Sequence, residues 1–329
     1  MIVTFGDLHL NKNPIRILEA INFLDYIQKY CLKNNIKTIV NLGDTFDQAN
    51  SIKNECFVPI FMKFMEIAKS GIQIYTLIGN HDTMDNNNDS LVETFSAFST
   101  VIKKSATYNI DGIDYDFLSY TKDPDDIPNS SNANVLFGHL EVEGFWFNPT
   151  KKIDTSIFEQ SKFSNYNCVV SGHLHHNQNE GKFHFIGTPY EKDKGEAGKA
   201  NYFGLIDKDT IELISYEEAP KYVEVSAETA LESGIDFTNK MVTVLIDKKV
   251  ENYVKLRNIL LTQKGAISVE PLFIKSQVEE VEEKEISMEQ GVMVSMAKYI
   301  DNVKPKDTTI NKELLINCYK EVLKRVKES

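Results

Sequence analysis

The sequence predicts an α/β fold, a mixed-sheet sandwich followed by a small β-β-α-β module and C-terminal helices. Three observations carry that expectation. The first two hundred or so residues alternate short apolar runs with helical segments, the pattern of a largely parallel sheet flanked by helices. Beyond about residue 105 the texture changes to short strands with a hairpin signal, so the sheet arrangement is mixed. Near Lys221 a second unit of short strands and one helix begins.

Residues 1–6 read as a strand. Asn13 then caps a helix that carries Pro14 in its first turn and runs to about Lys33. Residues 36–42 form a second buried strand. Residues 53–70 are helical despite Pro59, and Gly71 supplies the left-handed cap. Residues 72–78 form a third strand. Segments 108–110 and 113–120 flank Asp111-Gly112, a hairpin signal. Further short strands are expected at 134–137, 168–171, 183–187 and 202–207. The second unit has strands at 223–225, 241–246 and 267–274, with a helix over 252–264 ended by Gly265.

These elements divide the chain into residues 1–220, a module at 221–276, an acidic linker at 277–286, and helices at 287–329. The linker reading rests on five glutamates within residues 279–285. Ser287-Met288-Glu289-Gln290 is a capping box. Behind it Met288, Val292, Met293, Met296 and Ile300 follow helical spacing. Leu314, Leu315, Tyr319, Val322, Leu323 and Val326 form one stripe of a last helix over 312–327. These helices are candidates for docking a partner or for ordinary burial.

Composition excludes several classes. A chain of 329 residues with 42% hydrophobic and 26% charged residues is that of a globular protein. Cys31, Cys56, Cys168 and Cys318 are scattered, which argues against a disulfide framework or a thiolate zinc site. No basic leader precedes the first strand and no apolar run reaches the roughly 18 residues of a membrane span. A cytoplasmic protein without a membrane role is expected. The formal net charge of −12 argues against strong autonomous binding of nucleic acid, so a partner is expected to supply part of any grip.

Five motifs fall where strands end: Gly6-Asp7-Leu8-His9, Gly43-Asp44-Thr45-Phe46-Asp47, Gly79-Asn80-His81-Asp82, Gly138-His139 and Gly172-His173-Leu174-His175. Loops at the carboxyl ends of strands converge on the ligand crevice of open α/β sheets. Asp7, His9, Asp44, Asn80, His139, His173 and His175 offer carboxylate, imidazole and carboxamide donors, which suit manganese, with zinc or iron as alternatives. Seven donors are too many for one open ion. They suit two ions roughly 3.5–4 Å apart sharing a carboxylate, for which Asp44 is the natural bridge. Each motif alone is weak, since D-x-H is usually surface and N-H-D often only a turn. Five of the 7 histidines lie inside the motifs, and the ordered set is hard to ascribe to coincidence.

That order resembles the calcineurin-like metallophosphoesterase superfamily. FGHLEVEGFWF over 137–147 and FIGTPY over 185–190 resemble the SbcD-like DNA-repair exonuclease subunits, and within them the phage recombination nucleases. The motif-bearing likeness covers roughly residues 1–215. It implies one divalent ion on Asp7, His9, Asp44 and His175 and another on Asp44, Asn80, His139 and His173, with Mn(2+) favoured over Mg(2+), Zn(2+) or Fe(2+). It implies His81 as the catalytic group facing the scissile phosphate, oriented by Asp82. Asp47 stands where some relatives carry a phosphate-contacting histidine, and is read as a ligand or a support for His81. The resemblance also implies a capping role for residues 221–276, DNA as substrate, an SbcC-like coiled-coil ATPase partner docked on the last helices, and a homodimer with residues 13–33 and 53–70 as candidate surfaces.

Other residues carry competing readings. His176 and His184 read as surface or strand-exposed. Trp146 reads as core packing, with stacking of an unpaired base as the alternative. Lys192, Lys194 and Lys199 read as solvated, with phosphate contacts as the alternative. Rival functions are a protein phosphatase or cyclic-nucleotide phosphodiesterase on the same metal site, and a non-catalytic scaffold for an ATPase. Gln48 and Asp82, where serine/threonine phosphatases have arginine and glutamate, weigh against the first.

Overall fold

The structure is a computed structural model that describes residues 1–49, 52–84, 89–128, 132–246 and 253–273. The expected acidic linker and C-terminal helices lie outside the described residues. The elements in chain order are β1 (Ile2–Phe5), α1 (Pro14–Lys33), β2 (Thr38–Asn41), α2 (Asn54–Lys69), β3 (Gln73–Leu77), β4 (Thr100–Ile102), β5 (Ser105–Ile110), β6 (Ile113–Leu118), β7 (Val135–His139), β8 (Trp146–Asn148) and β9 (Lys151–Lys152). They continue with β10 (Cys168–Gly172), β11 (Gln178–Glu180), β12 (Phe183–Phe185), β13 (Tyr202–Asp207), β14 (Thr210–Ser215), β15 (Lys221–Ser226), α3 (Ala227–Leu231), β16 (Lys240–Ile246), α4 (Tyr253–Thr262) and β17 (Ser268–Phe273).

Two six-stranded sheets form the body, in the orders β14-β13-β1-β2-β3-β4 and β11-β12-β10-β7-β6-β5. Within the first, β1, β2, β3 and β4 run parallel, and β13 is antiparallel to β1. Within the second, β6, β7, β10 and β12 run parallel. Side-chain alternation sorts each strand onto two cores. Ile2, Val40, Tyr75 and Leu77 meet Tyr115, Phe117, Phe137 and Val170 between the sheets. Val3, Phe5, Ile39 and Ile74 instead face α1 and α2 through Phe23, Ile27, Ile60 and Phe64. Strands covered on both faces read as unbroken apolar runs, which is why β1 to β3 were visible in the sequence.

Asn13 does cap α1, accepting from the Ile15 amide, with Pro14 at its start. Asp111 and Gly112 take the left-handed backbone that the β5–β6 hairpin demands. Five strands, β4, β8, β9, β11 and β14, carry no clear sequence signal; β14 is a partly exposed edge whose pairing with β13 decides it. In the module, β15, β16 and β17 are parallel. Parallel neighbours need a crossover, and the short helix α3, absent from the sequence reading, supplies the first one. Cys31, Cys56 and Cys168 are buried free thiols. Among the described residues no helix is long and apolar enough to cross a membrane.

Candidate metal centre

The five motifs sit at the carboxyl ends of β1, β2, β3, β7 and β10, and the parallel runs bring those ends together. Ligand atoms of Asp7, His9 and His175 lie within 4.8 Å of one another, as do those of Asp44, His139 and His173, and those of His9, Asp47 and His81. Asp44 stands between the groups: its Oδ2 is 3.5 Å from Nε2 of both His9 and His139. Asn80 Oδ1 lies 3.0 Å from His139 Nε2 and 2.8 Å from His173 Nδ1. All seven predicted ligands are thus gathered in one pocket.

The backbone is bent hard to aim them. Asp7, His9, Asp44 and His173 have φ of 56°, 44°, 50° and 82°, a left-handed region that costs about 1–3 kcal/mol per residue unless the surroundings impose it. Hydrogen bonds impose it here. The Asp7 amide donates to the Gly43 carbonyl, His9 to Asp44, and the His173 amide to both Asp7 carboxylate oxygens. The motif glycines make room. A Cβ on Gly79 would stand 2.1 Å from Asp44 Oδ1, and one on Gly43, itself at φ +101°, would meet Gly79 N at 2.8 Å.

Electrostatics shows what the pocket favours. The His139 Nδ1–H donates to the Leu42 carbonyl at 2.8 Å, so its Nε2 lone pair points at Asp44 and Asn80 oxygens. His175 Nδ1 lies 3.1 Å from Glu196 Oε1, and His9 Nδ1 3.5 Å from Asp47 Oδ1. Their Nε2 atoms lie 2.9 Å apart, close enough for one ring to donate to the other or for both to serve a cation. Nitrogen and oxygen ligand atoms crowded this closely in a buried pocket are stabilised by positive charge. Burial opposes charge, yet the Asp44 carboxylate pushes His139 up to about 9, and Asp44 is held well below the usual carboxylate range by His139, His9 and His81. His173 Nε2 is buried without a hydrogen-bond partner. The donor set therefore fits divalent cations.

The supporting groups differ from expectation at Asp82. Its carboxylate was expected to orient His81, but it accepts from the amides of Thr45, Phe46 and Gly79 at 3.2, 3.0 and 3.1 Å. It clamps the loop bearing Asp44 to the loop bearing Asn80. Burial and the Asp44 charge push it up to about 7 against the pull of those amides. His81 is held instead by the carbonyl of Asp47, which takes its Nδ1–H at 2.7 Å. The Asp47 carboxylate turns to His9 and, at 3.5 Å, to Lys192. A hydrogen bond with His9 keeps that carboxyl down at about 2 against burial.

Trp146 is not a core residue: it is 47% exposed and Phe147 is 43% exposed, while Phe145 alone of that trio is buried. Lys192, Lys194 and Lys199 all have protein partners. Lys194 pairs with Glu270 of the module, and the half-buried Lys199 pairs with Glu196 and donates to Thr188. His176 and His184 are half-buried, and His184 Nδ1 meets Asn179 Oδ1 at 3.0 Å. The sequence reading missed Glu196 behind His175 and Glu141 beside His173 at 3.5 Å. Carboxylates of this kind fix imidazole orientation. Nothing local marks them, since each is an ordinary glutamate until the fold sets it behind a histidine.

Comparison with known proteins agrees with this geometry. Residues 1–177 match the model of the calcineurin-like phosphoesterase family. The chain is 25% identical over 332 residues to exonuclease subunit 1 of Enterobacteria phage T4, covering 96% of each. A dimetal phosphatase from Danio rerio superposes with a TM-score of 0.40 at 9% identity, over 65% of this chain and 95% of that one. The phosphoesterase Yfce from E. coli gives 0.35 at 14%, over 66% and 93%. With the family model spanning more than half of its length and the pocket built on that same stretch, the chain belongs to the calcineurin-like phosphoesterase family.

Proposed function

We propose that the chain is a two-metal phosphodiesterase that cuts DNA at its ends, as the nuclease subunit of a complex with an SbcC-like coiled-coil ATPase in recombination, repair or replication. The observation that carries the reading is the 2.9 Å confrontation of His9 Nε2 with His175 Nε2, each backed by a carboxylate, beside the acceptor cluster of Asp44, Asn80 and His139. Similarity along nearly the whole chain to a phage protein named as an exonuclease subunit supports both the substrate and the subunit role.

Asp7, His9, Asp44 and His175 would hold one ion, and Asp44, Asn80, His139 and His173 the other. Oxygen and imidazole donors favour manganese, with magnesium, zinc or iron as alternatives. Such ions neutralise phosphodiester oxygens and lower the pKa of the attacking water. The chain's own residues do the rest. Asp82 ties the loops at a fixed spacing through three amides. The Asp47 carbonyl takes the Nδ1–H of His81, which leaves Nε2 as the atom that would hand a proton to the departing 3′-oxygen. Glu196 and Asp47 hold His175 and His9 from behind.

Two measurements test this. His81→Ala should keep its metal content while manganese-dependent cleavage of linear DNA falls by about 10²–10⁴-fold. Metal lost in step with activity would make His81 a ligand, as its closeness to His9 and Asp47 allows, and would remove its acid role. Phosphopeptide turnover without DNA cleavage would move the chain to the phosphatases. A chain ending at residue 274 should bind metal normally but lose the ATPase, and unchanged association would remove the docking role of the last helices.

A further inference from the structure

We propose that the two-stranded ribbon β8–β9 is a stacking platform for unpaired nucleotides at a DNA end, with Phe147 and Trp146 receiving bases and Lys151 and Lys152 the adjoining phosphates. The proposal rests on the nuclease reading and adds which part of the substrate is held beside the metals, and by what.

The first observation is exposure. The body buries large aromatic side chains throughout, including Phe5, Phe117, Phe137 and Tyr190, yet consecutive Trp146 and Phe147 stand in solvent. A cation accompanies each ring: Lys152 Nζ is 5.9 Å from the Trp146 ring centre and Lys151 Nζ 5.5 Å from that of Phe147. The register accounts for the first pair, since Trp146 lies opposite Lys152, and an irregularity before Asn148 sets Phe147 outside the regular pairing.

The second observation is position. The Phe147 ring centre lies 6.0 Å from that of His173, and Tyr120 lies 6.0 Å from the same ring on another approach. A base on Phe147 would therefore sit directly beside the pocket that takes the scissile phosphate. The third is preorganisation. Gln178 grips the Trp146 backbone twice, accepting from its amide and donating to its carbonyl at 2.8 Å each. At the root the Gly144 amide donates to the Ile153 carbonyl and the Ile153 amide to the Phe145 carbonyl, while Phe145 packs against Phe183 and Phe185.

The chemistry selects the occupant. Aromatic rings interleaved with lysines are what single-stranded nucleic acid binds, because every base has a π-face and every linkage a charge. A lysine stem is flexible enough to leave a ring for a phosphate when a base arrives. In a chain of net charge −12, adjacent lysines beside the site are complementary to that ligand. A protein partner would need about 800 Å² of continuous surface, more than two half-exposed rings supply.

Trp146 is the only tryptophan, so its fluorescence reports directly on stacking. The manganese-loaded full chain is titrated with a phosphorothioate oligodeoxythymidylate that resists cleavage, and separately with an abasic strand of equal length. Saturable quenching by the thymidylate and none by the abasic strand is expected. Phe147→Leu, which keeps apolar bulk without a ring, should weaken binding by about five- to hundredfold, the value of one stacked base. Replacing Lys151 and Lys152 by alanine should flatten the salt dependence. Binding seen by anisotropy of a labelled strand without any change at Trp146 overturns the platform and leaves the nuclease reading intact. Absence of both binding and cleavage overturns the two together. Quenching by the ATPase alone would make the ribbon a protein interface and end the proposal.

Discussion

The two-sheet body and the parallel module at residues 221–273 treat charge in opposite ways. In the body, Asp7, Asp44, Asp82, His9 and His139 are all at most 1% exposed and share one pocket. In the module, the core is Phe237, Val242, Val244, Ile246, Leu256, Leu260 and their apolar neighbours, and among its described residues Thr243 is the buried polar side chain. The backbone divides the same way. Non-glycine residues with left-handed backbone include four predicted ligands of the body, while among the module's described residues there is Asn239 alone, beside Gly234 and Gly265. Converging acceptors and bent ligands are stable only where an outside cation repays their burial. Among the described residues the module holds no such cluster. A patch of polar contacts joins the two: Arg16 donates to the Glu191 carbonyl and to Tyr222, and the buried Glu191 carboxylate accepts from the Tyr222 amide.

The comparison can be broken most directly at Asp44. Asp44→Asn removes the carboxylate both ligand groups share, and turnover of a phosphodiester should fall by more than about a hundredfold, beyond what losing a supporting residue costs. Manganese should raise the melting temperature of the parent and leave that of the variant unmoved. Equal thermal stabilisation in both would mean that the metals do not need Asp44.

Alanine at two glycines separates the regions next. Gly79→Ala drives a Cβ into Asp44, so metal content and turnover should drop together. Gly265→Ala puts a Cβ 2.6 Å from Thr238 Oγ1 at φ +75° and should cost the module about 1–3 kcal/mol while metal content holds. Calorimetry with elemental analysis distinguishes them, and metal loss in the second variant would show that the module shapes the pocket.

The smallest effect lies at the junction. Burial pushes Glu19 up from 4.5 to about 6, against the pull of Arg16. A raised carboxyl pKa means that the folded state holds the proton more tightly. The stabilisation, about 2 kcal/mol for such a shift, is therefore complete below about 4.5 and lost as pH rises through about 6. Glu19→Gln should flatten the stability profile across that window, whatever its effect on absolute stability. An unchanged slope in chemical denaturation would show that Glu19 titrates normally.

Much of the site was legible because its signals are local. A glycine, a short polar run and a preceding apolar strand identify each motif, and the donors Asp7, His9, Asp44, Asn80, His139, His173 and His175 announce their chemistry by type. Supporting residues were not legible in the same way. Asp82 adjoins His81 in sequence, yet its carboxylate turns to backbone amides more than thirty residues away. Trp146 follows a buried phenylalanine and looks like core, but the turn at Gly144 lifts the ribbon into solvent.

The sequence by itself determined the alternation of β1, α1, β2, α2 and β3, the hairpin at Asp111-Gly112, and the kinds of ligand atom available, since periodicity, capping and donor type are properties of neighbouring residues. Only the tertiary structure decided that β15 and β16 are parallel, that Glu196 backs His175, that Asp47 serves His9 through its carboxylate and His81 through its carbonyl, and that the Nε2 atoms of His9 and His175 meet at 2.9 Å. Those facts depend on contacts between residues tens to hundreds of positions apart, and no local pattern encodes such distances.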